Sequence, residues 1–173
     1  MAGELTPRLS VPDDADGLTE LRHVAYGELS DQGLNFTAAH QDVATTRARV
    51  AEGACWVIQH AGELAATLTM SLPPPQDVRQ LTTAAQVPGR AWIGQVAVRS
   101  SLRGRNVARR LFGTACEWAT ARGVSSVGLD TALPAAHLAA MYERWGFERI
   151  GLVHFTGNTY DSVVMVRQLS IEQ

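Results

Sequence analysis

Apolar residues recur along the chain in two rhythms, a period near 3.6 that marks helices and short dense runs that mark strands. Arg8 to Val11 reads as an opening strand, and Pro12 with Asp13 and Asp14 then supplies a helix start with acids at the positive end of the dipole. Leu18, Leu21, Val24 and Ala25 follow at helical spacing, with Gly27 as an early break. Leu29 to Phe36 reads as a loop before Thr37 caps a second helix running to Glu52. Cys55 to Ile58 and Leu64 to Leu72 predict two strands of a β-hairpin around the turn His60 to Glu63. Pro73 to Arg90 shows no periodicity and is expected to be a long loop, a feature that is often functional in a compact domain.

The second half alternates. Ala91 to Val98 is continuously apolar, as a central strand buried on both faces would be. Asn106 to Arg122 predicts a helix with Val107, Ala108, Leu111, Ala115, Trp118 and Ala119 on one stripe. Val124 to Leu129 completes a strand, helix, strand unit whose right-handed crossover makes the two strands parallel. Leu138, Met141, Tyr142 and Trp145 predict a further helix, opened by Pro134 and closed by Gly146, and Ile150 to Thr156 with Ser162 to Leu169 predicts a terminal hairpin. No repeat or linker divides the chain, so one α/β domain covering residues 1–173 is expected.

Composition narrows the function. With 46% hydrophobic and 18% charged residues the chain has neither the apolar poverty of disorder nor the excess of a membrane protein. A net charge of −2 gives no electrostatic case for nucleic acid. The first residues lack the apolar run of a signal peptide and no stretch is long enough to cross a bilayer, so no membrane partner and a cytoplasmic location are expected. Cys55 and Cys116 lie in apolar periodic segments and read as buried thiols, and the five scattered histidines show no zinc-ligand spacing, so no metal is expected.

The most informative segment runs from Val96 to Leu111, where a buried strand ends, a basic glycine-containing turn follows and a helix begins. The first amides of a helix lack internal acceptors, and the dipole favours an anion there by roughly 0.3–1 kcal/mol. Arg103 and Arg105 add charge at the same place.

Arg103-Gly104-Arg105-Asn106-Val107-Ala108 resembles the coenzyme A signature of the GCN5-related N-acetyltransferase (GNAT) superfamily, Arg/Gln-x-x-Gly-x-Gly/Ala, with Asn106 where the family has its central glycine. Asn is the next residue most tolerant of left-handed backbone. Tyr142-Glu143-Arg144-Trp145-Gly146-Phe147 resembles the end of a later family helix, Tyr-Glu-Lys/Arg-x-Gly-Phe. The order of elements agrees over nearly the whole chain. An asparagine that many relatives carry near the start of that helix is replaced by Ala135.

The resemblance implies an α/β (α+β) fold, a mixed and mostly antiparallel twisted sheet with a central parallel pair of splayed strands, flanked by about four helices. It implies acetyl-CoA as co-substrate. Its pantetheine arm would lie along Val96, Ala97 and Val98, and its pyrophosphate on the backbone amides of Arg103, Gly104, Arg105, Asn106, Val107 and Ala108. Tyr142 matches the usual general acid beside the cofactor sulfur. A phenol of ordinary pKa about 10 is protonated at neutral pH and can donate to a departing thiolate. The Val98 amide would bind the oxyanion. The acceptor, a small-molecule or peptide amine, would meet Glu28, Asp31, Asn35 and Phe36, and the loop from Pro73 to Arg90 is a further candidate lining. Gln95 stands where some relatives place a basic glutamate, which leaves Glu28, Asp31, His154 or a water chain as bases. Trp92 and Trp145 are candidates for the cleft or the core. The resemblance also allows a homodimer, since relatives are often dimers. The alternative function is an acyl-CoA sensor without turnover. A dinucleotide fold lacks its glycine fingerprint here, and no Gly-x-Ser-x-Gly elbow supports covalent hydrolysis.

Overall fold

The computed structural model describes residues 5–169. In chain order the elements are β1 (Arg8–Leu9), α1 (Ala15–Ser30), α2 (Val43–Ala51), β2 (Gly53–His60), β3 (Glu63–Ser71), α3 (Gln76–Leu81), β4 (Arg90–Val98), α4 (Val107–Thr120), β5 (Ser126–Ala132), α5 (Ala136–Arg144), β6 (Glu148–Val153) and β7 (Ser162–Gln168). The strands form one seven-stranded sheet of order β1-β2-β3-β4-β5-β7-β6. β4 and β5 are its parallel pair, whereas β1 with β2, β5 with β7 and β6 with β7 are antiparallel. The described residues group into two compact units, residues 5–70 with 95–115, and residues 71–94 with 116–169.

In the first unit, Leu18 and Leu21 of α1 pack on Cys55 and Val57 of β2, Leu64 of β3 and Ala97 of β4. The β2–β3 connection places Ala61 (φ 52°) and Gly62 (φ 80°) in the left-handed region. That is the conformation a two-residue hairpin turn needs to match strand twist. Two expectations are corrected here. Gly27 does not break α1, which continues to Ser30 because buried Leu29 anchors the next turn. Thr37 opens only a 3-10 turn, Thr37–Ala39, and the cap of α2 is Asp42, whose carboxylate accepts the Thr45 amide at 2.8 Å.

In the second unit, β5 and β7 pair along their full length from Ser126↔Gln168 to Ala132↔Ser162. β6 forms the edge and is exposed from Glu148 to Leu152, while Val153 is partly buried. The segment from Pro73 to Arg90 is not a featureless loop: it holds α3 and a 3-10 turn, Thr83–Gln86. Val78 and Ala85 from these pack with Trp92 and Val164. Two small apolar anchors set in polar residues give no periodic signal. α3 raises the α-helices to five among the described residues. β5 also runs three residues beyond Leu129 and so takes in Asp130.

Candidate active site

The signature turn leaves β4 through a short 3-10 turn, Ser100–Leu102, whose Leu102 is buried and fixes where the chain reverses. Arg103 to Asn106 are then all exposed. Gly104 (φ 77°) and Asn106 (φ 58°) are left-handed, so the turn needs two residues that tolerate this conformation, and Asn106 meets that need without glycine. α4 closes its first turn with the Arg110 amide donating to the Asn106 carbonyl at 3.1 Å. The amides of its opening residues are left to point along the helix axis, as an anion site requires.

β4 itself is bent ahead of this turn. Gln95 sits at φ 53°, a strained conformation for a residue with a side chain, and its amide is held by Gln41. Gln95 Nε2 donates to Gln41 Oε1 at 2.8 Å, and Gln41 Nε2 donates to Thr46 Oγ1 at 2.9 Å. Thr46 in turn bonds Thr19 at 2.7 Å, and His23 Nε2 meets the Gln41 carbonyl at 2.5 Å. One residue on, the Tyr26 hydroxyl donates to the Val96 carbonyl at 2.7 Å. A carbonyl has two lone pairs, so Val96 retains acceptor capacity. Val98 is half-buried, and Ala97 turns into the core.

Among the residues expected to meet the acceptor, Glu28 pairs with Arg103 (Oε2 to Nη1, 2.7 Å), both about half exposed. The structure therefore joins an expected acceptor residue to an expected cofactor residue. Asp31 caps the end of α1 and is exposed, as is Asn35. Phe36 stacks at a tilt on Tyr26, centroids 5.2 Å apart.

The second unit carries Tyr142 on α5, where it is 8% exposed. Its ring meets Trp145 edge-on at 5.2 Å and Phe147 at 6.0 Å, so the two aromatics of the second motif set the phenol's orientation. Trp92 and Trp145 are both buried. Trp92 lies flat over Gly128, where a Cβ would come within 2.2 Å of its ring, and its indole N–H donates to Asp130 Oδ2 at 2.9 Å. β4 pairs with β5 through Arg90↔Ser126, Ala91↔Val127 and Trp92↔Gly128, so Asp130 lies beyond the paired stretch. Tyr160 is buried beside it, and its hydroxyl is pushed up to about 12, first by burial and then by the Asp130 charge. His154 pairs with Asp161 at 2.9 Å in an exposed position.

Four polar groups escaped the sequence reading. Tyr26 and Gln41 act on β4 across long sequence separations. Asp130 is the one charged residue of β5, a signal that was present in the sequence. Arg22 faces the core where Val24 was expected, and it is fully buried, whereas Val24 is half exposed. Arg22 Nη2 donates to Thr69 at 3.1 Å, while Nε and Nη1 have no hydrogen-bond partner. Burial pushes the guanidinium down from its ordinary value. Neither cysteine is in a disulfide; Cys55 is a buried thiol as expected, whereas Cys116 is only half-buried.

The whole chain is similar in fold to solved acetyltransferases. A GNAT-family acetyltransferase from Listeria monocytogenes 4b F2365 aligns with a TM-score of 0.73 at 19% identity, covering 98% of each chain. The yncA protein from Salmonella typhimurium, solved with its cofactor acetyl-CoA, aligns at 0.71 and 16% identity, over 99% of this chain and 96% of that one. In sequence, the chain is 28% identical to the S-(2-succino)cysteine N-acetyltransferase of Bacillus subtilis (strain 168) over 94% of both proteins. Residues 17–147, which contain the signature turn and Tyr142, match the model of the acetyltransferase (GNAT) family. The chain belongs to this family, and it is an acetyl-CoA-dependent N-acetyltransferase.

Proposed function

We propose that the protein acetylates the primary amine of a small acidic amino acid by direct attack of the amine on acetyl-CoA in a ternary complex, within a single functional domain that works in the cytoplasm. The observation that carries the cofactor half is the signature turn, with left-handed Gly104 and Asn106 at the N-terminus of α4. In this reading the backbone from Arg103 to Ala108 holds the pyrophosphate, and Val96 to Val98 lie along the pantetheine. Charge at Arg103 strengthens the anion site. The Val98 amide binds the developing oxyanion, and Tyr142 gives its proton to the departing thiolate. The C–N bond forms as the C–S bond breaks, and binding both reactants together supplies much of the rate. Glu28, Asp31, Asn35 and Phe36 form the acceptor side.

The acceptor class rests on the relative from Bacillus subtilis, which is similar over almost its full length. The experiment is a thiol-release assay with acetyl-CoA and a panel of amines, namely S-(2-succino)cysteine, simple amino acids, spermidine and an alanine-ended peptide. We expect S-(2-succino)cysteine or another acidic amino acid to give the highest kcat/KM, with the acetylated amine seen by mass spectrometry. Preference for the peptide or the polyamine would refute the proposed acceptor class.

A further inference from the structure

We propose that Gln41 is a positioning residue for the acetyl transfer: paired with Gln95, it holds β4 in the bent form that presents Val96 to Val98 to the thioester. The inference rests on the reading of Val96 to Val98 as the thioester strand and adds what sets the shape of that strand.

The backbone of Gln95 is the first observation. At φ 53° it lies in the left-handed region, which is costly for any residue with a side chain. Asn and Asp relieve that cost by bonding their own backbone through a short side chain, and the longer Gln lacks this recourse. Gly94, which would adopt the conformation without strain, stands next to it, yet the bend falls on Gln95. The surroundings therefore impose the conformation.

The hold is a pair of side-chain amides, each donating to the other. Gln95 Nε2 donates to Gln41 Oε1 at 2.8 Å, and Gln41 Nε2 to Gln95 Oε1 at 3.4 Å. The second hydrogen of Gln41 Nε2 goes to Thr46 Oγ1 at 2.9 Å. Thr46 then has its own proton for Thr19 Oγ1 at 2.7 Å, and Thr19 donates to the Ala15 carbonyl at 2.7 Å. The donors run in one direction, from β4 to the backbone of α1. Gln41, Thr46 and Thr19 are all buried, where polar groups are costly unless satisfied and rigid once they are. Apolar side chains would pack α1 on α2 without that cost, so the network is explained by what it holds.

The main chain of Gln41 is fixed as well. Its amide donates to the Thr37 carbonyl at 3.0 Å, and its carbonyl accepts from His23 Nε2 at 2.5 Å. The turn Thr37–Ala39 joins it to Phe36, which stacks on Tyr26, and the Tyr26 hydroxyl donates to the Val96 carbonyl at 2.7 Å. β4 is thus clamped at two successive residues, by an amide pair at Gln95 and a main-chain bond at Val96. Both clamps come from the segment that carries Asn35 and Phe36, so the acceptor side and the thioester strand share one framework. Misplacing reacting atoms by about 1 Å costs on the order of a hundredfold in rate. The shape of this stretch therefore acts on the chemical step, whereas the signature turn supplies cofactor binding.

The test is a double-mutant cycle in the full chain, with acetyl-CoA and the panel amine of highest wild-type turnover. Gln41→Leu removes the amide pair at similar side-chain volume. Gln95→Gly removes both the side chain that is held and the strain that makes holding necessary. We expect Gln41→Leu to lower kcat about tenfold or more, with acetyl-CoA affinity and the amine KM each within about threefold of wild type. In the Gln95→Gly background the same substitution should change kcat by less than about threefold, because the pair is already gone. Gln41→Asn keeps a buried amide but is one methylene too short for Gln95; it should match Gln41→Leu, and it serves where Leu unfolds the chain.

A kcat within about threefold of wild type for Gln41→Leu, or an equal loss in both backgrounds, overturns the proposal. A loss that falls on acetyl-CoA affinity also overturns it, by making the network a support of the fold alone. If wild type binds acetyl-CoA but acetylates no amine in the panel, the reading beneath the proposal fails, and this role with it.

Discussion

The Glu28 carboxylate bonds the Arg103 guanidinium at 2.7 Å, which links the end of α1 to the turn that opens α4. Both side chains are about half exposed, so the pair contributes little to stability, under about 1 kcal/mol. Its consequence lies in binding, because a pyrophosphate at this turn competes with Glu28 for Arg103. Glu28→Gln is therefore expected to tighten acetyl-CoA binding up to about fivefold at low salt, and Arg103→Ala to weaken it. Both effects should shrink at high salt. Calorimetric titration at two ionic strengths checks this; weaker binding in Glu28→Gln would show that the carboxylate supports the cofactor.

Asn106 at φ 58° separates two contributions of the signature turn. Asn106→Gly should be neutral or stabilising, since glycine adopts this conformation without strain. Asn106→Ala should cost about 1 kcal/mol and weaken acetyl-CoA binding as the turn relaxes. Thermal melting with calorimetry reads both, and an Ala variant matching wild type in both would remove the backbone argument.

Tyr142 presents a hydroxyl that its aromatic neighbours do not need for packing, because Trp145 and Phe147 contact the ring. Tyr142→Phe should lower kcat about a hundredfold or more while acetyl-CoA affinity stays nearly constant. Unchanged turnover would take Tyr142 out of the mechanism.

Arg22 is fully buried with two nitrogens lacking hydrogen-bond partners. A buried charge so poorly compensated is costly, and an apolar residue of similar length often stabilises its site. Arg22→Met is expected to hold or raise the thermal midpoint. A fall of more than about 3 °C, roughly 1 kcal/mol for a chain of this size, would mean that the guanidinium is better satisfied than its contacts indicate.

Much of the fold was legible because its signals are local and periodic. The stripe of α4, the dense apolar run of β4 and the His60 to Glu63 turn each carry their own evidence, and each element forms where it was expected. What stayed hidden depends on partners remote in sequence. α3 is held by Val78 and Ala85 packing with Trp92, and no rhythm of its own announces it. Arg22 takes a core position because Thr69, on β3, accepts its hydrogen bond, which α1 alone does not reveal.

The site divides in the same way. The signature turn could be read because its chemistry is written in six consecutive residues, and Asn106 adopts the left-handed backbone that the motif demands. Tyr26 and Gln41 could not, because they reach Val96 and Gln95 across more than fifty residues of sequence. Asp130 was within reach: ending β5 at Leu129 hid a carboxylate that belongs to the strand.

The account stands on acetyl-CoA being held at the turn from Arg103 to Ala108. The most direct test is calorimetric titration of the purified protein with acetyl-CoA, alongside Arg103→Ala. One-to-one micromolar binding that weakens with salt, and weakens further in the variant, is the predicted result. No binding by the wild-type protein would contradict the account, and equal affinity in the two proteins would move the pyrophosphate away from this turn.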